Sequence, residues 1–304
     1  MTLAVLCALA LAVPAGGLAA QDRYGMLVLE LPAGTRASSL GGAFVPGVPD
    51  ADAVFAGPAY QAGLRGFAGG VGWWSAEALS LSLSGGGEWL GGALAAGLQT
   101  LDYEAQAHGY ADLFDAEAAL GAGGPLHVAE RAASIAYARR VWELELSVTG
   151  KLLETRASGE SARGAAFDVA LGRMIGPVRL ALAAQHLGPA LDVGDSELTL
   201  PARVTLSGAT RSVVVGPLDV VATAALAVRE DGEVLPAGGL ELGYWPLPGR
   251  TFFARVGARR ADAALLPVTL GAGFSGDRIG VDWAFVPYDD GATDGAHRIS
   301  VRLR

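Results

Sequence analysis

Residues 142–151 read WELELSVTGK, and this stretch decides the fold class. Apolar side chains alternate with polar ones at every second position: Trp142, Leu144, Leu146 and Val148 against Glu143, Glu145, Ser147 and Thr149, with Lys151 continuing the polar row. A period of two indicates a strand with one apolar face and one polar face. Because the same alternation returns in segment after segment beyond Arg65, we predict an all-β chain.

The alternating segments add up to about fourteen strands of nine to twelve residues each. Their predicted ranges are 65–74, 77–85, 88–101, 130–138, 142–154, 165–173, 177–187, 200–211, 217–229, 236–245, 250–260, 266–275, 278–287 and 296–304. This is the length that a tilted strand needs to cross a bilayer. An even strand number is typical of outer-membrane barrels.

The connections between these segments differ on the two sides. After even-numbered segments they are short, as at Gly85 to Gly87, Ile175-Gly176 and Ser275 to Asp277. After most odd-numbered segments they are longer: 102–129, 155–164, 188–199, 230–235 and 288–295. Short turns on one rim and long loops on the other indicate an outer-membrane barrel with both termini on the short-turn side.

Composition leaves two architectures open. Only 17% of the 304 residues are charged and 51% are apolar, whereas soluble domains carry about 25% charged residues. Mean hydropathy is +0.36, yet no apolar run beyond the N-terminus is long enough for a transmembrane helix. A transmembrane barrel is favoured over an exported soluble β-protein. The net charge of −9 argues against nucleic-acid binding.

Aromatic residues fall at the predicted strand ends, as expected for membrane-interface girdles. The set on the short-turn rim is Trp89, Tyr137, Trp142, Tyr244, Trp245, Phe252 and Phe274, and the set on the other rim is Trp73, Trp74, Tyr103, Phe285 and Tyr288. The alternative is the aromatic core of a soluble sandwich, but core aromatics would lie more often in mid-strand.

Three regions are predicted along the chain. Residues 1–20 have the short apolar run and small residues of a secretory signal peptide, although no basic residue precedes Arg23. Residues 21–64 form a lead-in and a Gly/Pro-rich plug, and 65–304 form the barrel. Cys7 is the single cysteine and lies in the signal, so we expect no disulfide in the mature chain.

The plug prediction rests on 34–64, GTRASSLGGAFVPGVPDADAVFAGPAYQAGL. Pro46, Pro49 and Pro58 each remove a ladder donor, which disfavours a central strand. Gly41 and Gly42 permit backbone shapes that other residues resist. We expect this segment at the short-turn end of the barrel, where it closes the lumen.

The same stretch resembles the N-terminal signature of PorV/PorQ-like proteins, a branch of the FadL-type outer-membrane barrels. The matching positions are Gly34, Arg36, Ala37, Leu40, Gly41, Gly42, Ala43, Phe44, Val45, Asp50, Asp52, Phe55, Ala56, Gly57, Pro58 and Ala59. Downstream, further family motifs follow in the same order: 164–171, then 185–189 (QHLGP) with 200–203 (LPAR), then 282–288 with 297–300. Gly57 and His186 stand where the family has Asn, and the chain ends in Arg304 rather than an aromatic residue.

The resemblance implies a non-catalytic component of protein secretion or surface attachment, in the outer membrane of a diderm bacterium reached by the general secretory route. The alternative is a FadL-type channel for hydrophobic small molecules. The expected partners are outer-membrane lipid, together with secretion components, exported proteins or a hydrophobic ligand. The resemblance also assigns a plug signature: Arg36, Gly41, Gly42, Phe44, Asp50, Asp52 and Pro58.

If the Leu, Val and Phe of each strand face lipid, the alternation turns the charges inward. The lumen-lining candidates are Glu143, Glu145, Lys151, Asp168, Arg179, Arg203, Asp282, Arg298 and Arg302. A solvated, mutually neutralising lumen is the simpler interpretation, and a selectivity lining is the functional one. The four histidines show no metal-ligand spacing, and neither a G-x-S-x-G motif nor a phosphate loop is present. We therefore predict no enzyme, no cofactor and no metal.

Overall fold

The structure of the chain is a computed structural model that describes residues 26–43, 51–56, 65–75, 78–104, 127–157, 160–193, 196–260, 266–287 and 295–303. The helices among them are short: α1 (Leu27–Glu30), α2 (Thr35–Ser39) and α3 (Ala53–Ala56). No helix in the described ranges is long and apolar enough to cross a membrane.

The strands follow the helices in the chain. They are β1 (Gly66–Ser75), β2 (Ala78–Trp89), β3 (Gly92–Glu104), β4 (His127–Val141), β5 (Leu144–Ala157), β6 (Glu160–Ile175), β7 (Val178–Leu187), β8 (Leu191–Val193), β9 (Ser196–Leu198), β10 (Arg203–Thr210), β11 (Val213–Val215), β12 (Leu218–Arg229), β13 (Val234–Leu247), β14 (Arg250–Arg259), β15 (Val268–Ser275), β16 (Ile279–Pro287) and β17 (Gly295–Leu303).

Fourteen of these strands form a closed antiparallel barrel. Each pairs with its neighbour in the chain, β1 also pairs with β17, and β10 bridges β7 to β12. The sheet therefore has no free edge, which satisfies the backbone hydrogen bonds as a bilayer demands. The short strand β11 pairs with the first residues of β12, beyond the end of β10, and β8 and β9 form a separate hairpin. The predicted closed barrel of about fourteen strands is confirmed.

Alternation places apolar side chains outside and polar ones inside. On β2, Leu79, Leu81 and Leu83 are exposed while the serines between them are buried. Leu152 is 70% exposed, whereas its neighbour Lys151 is 3% exposed. An inside-out distribution of this kind suits a wall that faces lipid on its outer side.

The two rims differ as predicted, with several local corrections. We define the short-turn rim by the turns Leu90–Gly91, Trp142–Glu143 and Gly176–Pro177, and the long-loop rim by the opposite strand ends. Gly85 to Gly87 lie within β2, so the predicted hairpin there is wrong; the turn forms at Leu90–Gly91, where both residues have positive φ.

Two predicted long loops also contain strand. β5 and β6 run on to Ala157 and from Glu160, through most of 155–164, and the hairpin β8–β9 occupies part of 188–199. That hairpin carries Leu191 and Leu198 into a buried apolar cluster with Trp74, Leu101 and Met26 at the long-loop rim. Of the loop 102–129, residues 105–126 lie outside the described residues.

The aromatic girdle is partly corrected. On the short-turn rim Trp89, Trp142 and Trp245 are exposed. On the long-loop rim Trp74 and Tyr103 point inward and are buried, because both fall on the polar phase of their strands. Trp74 donates its indole N–H to Ser80 Oγ at 3.0 Å. Tyr288 lies outside the described residues.

Candidate functional site in the barrel lumen

The described parts of the N-terminal segment, residues 26–43 and 51–56, lie inside the barrel. They contact inward-facing residues on opposite sides of the wall: Val28 N–H donates to the Glu130 carboxylate on β4 at 2.8 Å, and Gly41 N–H donates to Thr269 Oγ1 on β15 at 2.9 Å. Nearer the short-turn rim, Ser84 Oγ on β2 donates to Asp52 at 2.8 Å.

A groove of glycines holds the turn after α2. Gly239, Gly257 and Gly271 lie on the neighbouring strands β13, β14 and β15, and a Cβ at any of them would collide with residues 39–41. At Gly257 the colliding atoms are the backbone N of Gly41 and the carbonyl carbon of Leu40. Because backbone cannot rotate away as a side chain can, only glycine fits here.

The height of this contact corrects one expectation. Gly257 lies near the end of β14 and Thr269 near the start of β15, both toward the long-loop rim. The described residues 34–43 therefore reach mid-barrel and above. Val54 and Phe55 pack on Ala93, Ala95 and Ala136 near the short-turn rim, so only the first part of the segment departs from the expected position. The sequence pattern identifies a segment that is not strand, but it carries no information on depth.

A chain of ion pairs fixes the same segment to the wall. Arg36 makes a bidentate pair with Glu241, with Nη2 to Oε1 at 2.6 Å and Nε to Oε2 at 2.8 Å. Arg255 bridges Glu241 at 2.5 Å to Asp282 at 2.6 Å, and Arg302 reaches Asp282 at 2.7 Å. Arg36 and residues of β13, β14, β16 and β17 thus place two carboxylates among three guanidinium groups, and this pairing offsets part of the desolvation of the charges.

A second buried charge cluster lies on β5, β6 and β7. Lys151 Nζ lies 2.7 Å from Asp168 Oδ2 and 3.0 Å from His186 Nδ1. His186 donates its backbone N–H to Asp168 Oδ1 at 2.8 Å and has a φ of 58°. The register shifts between Phe167 and Val169, so this bulge turns His186 inward beside Gln185.

A cavity of about 230 Å³ lies between the N-terminal segment and the wall formed by β7, β10, β12 and β13. On the wall side it is lined by small side chains: Ala181, Ala183, Ser207, Ala225, Ala227 and Ala237. Neighbouring stretches of the lumen carry Arg, Glu or Lys at the equivalent inward positions. The short side chains therefore create the space.

The rest of the cavity lining carries both apolar and charged groups, the charged ones being Glu30, Arg36, Asp52, Arg203, Arg259 and Arg260. Leu29, Leu31 and Phe55 of the N-terminal segment line the cavity together with Arg203 of β10. Arg203 Nε donates to Gln185 Oε1 at 3.1 Å, and Gln185 donates to the Ala56 carbonyl at 2.8 Å. Within the described residues, no carboxylate lies within ion-pair distance of Arg203.

The structure places most of the predicted lumen residues on inward positions. Glu145, Lys151, Asp168, Asp282 and Arg298 are at most 4% exposed there. Arg179 pairs with Glu145, which also pairs with Arg140 at 2.7 Å; Arg203 lines the cavity and Arg302 pairs with Asp282. Arg298 donates to Ser80, Ser82 and the Ala33 carbonyl.

Glu143 does not line the lumen, contrary to the prediction. It lies in the Trp142–Glu143 turn with a side chain that is 76% exposed, and it pairs with Arg173 outside the lumen. The predicted turn at Arg139-Arg140 forms three residues later, at Trp142–Glu143, so Glu143 never joins the inward row. Glu145, the next residue on that face, is the first that does.

The predicted plug signature is partly described. Gly41 and Gly42 have φ of 73° and 87°, a conformation that favours glycine. Arg36 and Asp52 make the contacts given above. Phe44, Asp50 and Pro58 lie outside the described residues. Among the described residues no group of three His, Cys, Asp or Glu is placed to hold a metal ion.

No protein-family profile matches the chain, and no characterised protein matches it in sequence. Solved structures match it in fold. The Pseudomonas putida toluene transporter TodX matches at a TM-score of 0.55 and 12% identity, over 88% of this chain and 95% of TodX. CymD, described as a monoaromatic hydrocarbon channel, matches at 0.54 and 12% identity, over 92% and 97%. A FadL homologue of Pseudomonas aeruginosa matches at 0.49 and 11% identity, over 88% and 97%.

The similarities to TodX and CymD define the fold. The chain has the closed antiparallel barrel fold of these two proteins, and a location in the outer membrane fits that fold. The finer resemblance to the PorV/PorQ branch has no counterpart among these matches.

Proposed function

We propose that the protein is an outer-membrane channel for hydrophobic small molecules and that the lumen cavity is its binding site. The observation that carries the proposal is the cavity itself, where small wall residues face Leu29, Leu31 and Phe55 across about 230 Å³. An apolar cavity of about 150 Å³ accepts benzene, so a single-ring hydrocarbon has room here.

The fold neighbours support this function over the secretion function. TodX is described as a toluene transporter and CymD as a monoaromatic hydrocarbon channel. The motifs that resemble PorV/PorQ remain the support for a role in secretion or surface attachment. Many of the lumen charges pair with one another, and the cavity wall on β7, β10 and β12 is short and uncharged except at Arg203. Charged groups line the remainder of the cavity, at Glu30, Arg36, Asp52, Arg259 and Arg260.

The plug also belongs to this proposal. Residues 21–64, as a unit, would close the lumen and form one side of the binding site. The glycine groove and the Arg36–Glu241 pair support it, since both hold the described segment against the wall.

Filling the cavity tests the proposal. Ala225→Leu projects a larger side chain into the cavity, whereas Ala224→Leu changes the next residue of β12, which is exposed on the outer face. Because overpacking costs about 1–3 kcal/mol, we expect Ala225→Leu to weaken toluene binding by roughly tenfold or more. Equilibrium dialysis of the purified barrel with radiolabelled toluene measures it.

The control variant and the results that would contradict the proposed binding site are different measurements. Ala224→Leu should bind toluene like the wild type. If wild type binds none, or if both leucine variants bind equally, the cavity is not the site.

A further inference from the structure

Three arginines surround one glutamate on the outer face of the barrel at the long-loop rim. Glu154 contacts Arg156 and Arg163 at 3.0 Å each and Arg131 at 3.6 Å. We call Arg131, Arg156 and Arg163, with Glu154 between them, the arginine patch. It lies outside the lumen and plays no part in the proposed channel.

Register places the patch on the outward face. Arg131 pairs across β4 and β5 with Glu154, and Glu154 pairs across β5 and β6 with Arg163. Their strand neighbours Glu130, Leu153 and Ala162 are buried, as expected on the opposite face. The arginine side chains are 48%, 53% and 78% exposed for Arg131, Arg156 and Arg163.

The patch lies just beyond the apolar belt. The next outward row toward the short-turn rim is Ala133, Leu152 and Ala165, and below it lie Ile135 and Phe167. Two residues along a tilted strand correspond to about 5 Å in height. The guanidinium groups are therefore level with lipid headgroups of the leaflet at the long-loop rim.

Strand length supports this placement. β4, β5 and β6 have 15, 14 and 16 residues, and crossing the hydrocarbon needs about 9–11. These three strands thus continue past the apolar region, and the patch stands on the first polar row of that continuation.

Charge favours an anionic occupant. Three guanidinium groups face one carboxylate, which leaves two positive charges in the patch. The acidic residues of β3, Asp102 and Glu104, lie farther toward the rim, opposite Ala129 and His127. Exposed ion pairs add little to stability, but a guanidinium group held by Glu154 keeps further N–H donors for a phosphate, which it matches in geometry.

We propose that the arginine patch binds the phosphate groups of anionic lipids in the outer leaflet. Glu154 orients the three guanidinium groups, and the exposed side chains of Ile135, Leu152 and Phe167 contact the acyl chains of the same lipid. The bound lipid seals the wall at β4–β6, where the long strands leave the membrane.

Native mass spectrometry of the purified barrel with added lipid A tests the proposal. We compare the wild type with the triple variant Arg131→Gln, Arg156→Gln, Arg163→Gln. The matched control is Arg65→Gln, Arg139→Gln, Arg173→Gln, three exposed arginines at the short-turn rim. The patch variant should lose at least tenfold in lipid A binding, and the control should bind like the wild type. Equal binding by the wild type and the patch variant would overturn the proposal.

Further experiments distinguish lipid phosphate from free phosphate as the ligand, and one of them checks that the variants fold. Lipid A lacking its phosphates should bind weakly, and millimolar inorganic phosphate should not displace lipid A; displacement would assign the patch to free phosphate and overturn the lipid proposal. Heat-modifiable gel mobility reports folding. If the triple variant does not fold, single Gln variants replace it, and binding unchanged in all three would count against the patch.

Discussion

Replacing Gly257 with leucine is expected to make the barrel leak small solutes. The new side chain would occupy the position of the Leu40–Gly41 backbone, whose Gly41 N–H also donates a hydrogen bond to Thr269 Oγ1. Overpacking costs about 1–3 kcal/mol, and each 1.4 kcal/mol is about tenfold in an equilibrium. The fraction of barrels with a displaced N-terminal segment should therefore rise by roughly tenfold to a hundredfold.

Conductance in planar bilayers, or swelling of proteoliposomes in small sugars, measures that leak. The matched control is Ala254→Leu on the same strand, whose side chain is exposed on the outer face. It should leave conductance unchanged. If Gly257→Leu assembles normally and conducts no more than this control, the segment does not close the lumen through the glycine groove.

The second large effect is expected on stability, from Asp168→Asn. This variant keeps the shape of the side chain but leaves the Lys151 ammonium, which is 1% exposed, without its carboxylate. Breaking a buried pair from one side costs about 3–5 kcal/mol. Unfolding in urea, followed by heat-modifiable gel mobility in detergent and lipid, should show a loss of that order.

Two further variants test whether the broken ion pair causes this loss of stability. Lys151→Met combined with Asp168→Asn removes both charges and should recover much of the loss, since a pair removed together costs less than a pair broken. Glu88→Gln breaks the exposed pair with Arg65 and should cost less than about 1 kcal/mol. A loss for Asp168→Asn no larger than that of Glu88→Gln would show that the buried pair contributes nothing.

The period of two is enough to predict the barrel wall, because each strand must present apolar side chains to lipid on one side. The same alternation places Asp168, Lys151 and Asp282 inward. It does not predict that Lys151 pairs with Asp168, because the strand register places Asp168 opposite Thr149 and Lys151 opposite Ala166, so the ion pair runs diagonally across the two strands. The alternation also places Trp74 and Tyr103 inward, and only their aromatic character led to the wrong prediction of a lipid-facing girdle position.

The candidate site depends on contacts that no local pattern records. Gly239, Gly257 and Gly271 form a groove only because three strands bring them side by side. Most of the small residues of the cavity wall are alanines, and in the sequence they look like the small residues of any strand. These alanines border a cavity only because the N-terminal segment lies opposite them. The path of that segment through the lumen depends on tertiary packing, which the local sequence does not record.

Uptake of radiolabelled toluene by intact cells tests the proposed function most directly. Cells that carry the protein, cells that lack it and cells that carry Ala225→Leu are compared at low toluene concentration, with a labelled sugar as an internal control. We expect the wild type to take up toluene faster than both other strains, with equal sugar uptake in all three. Equal toluene uptake with and without the protein would contradict a channel for hydrophobic molecules.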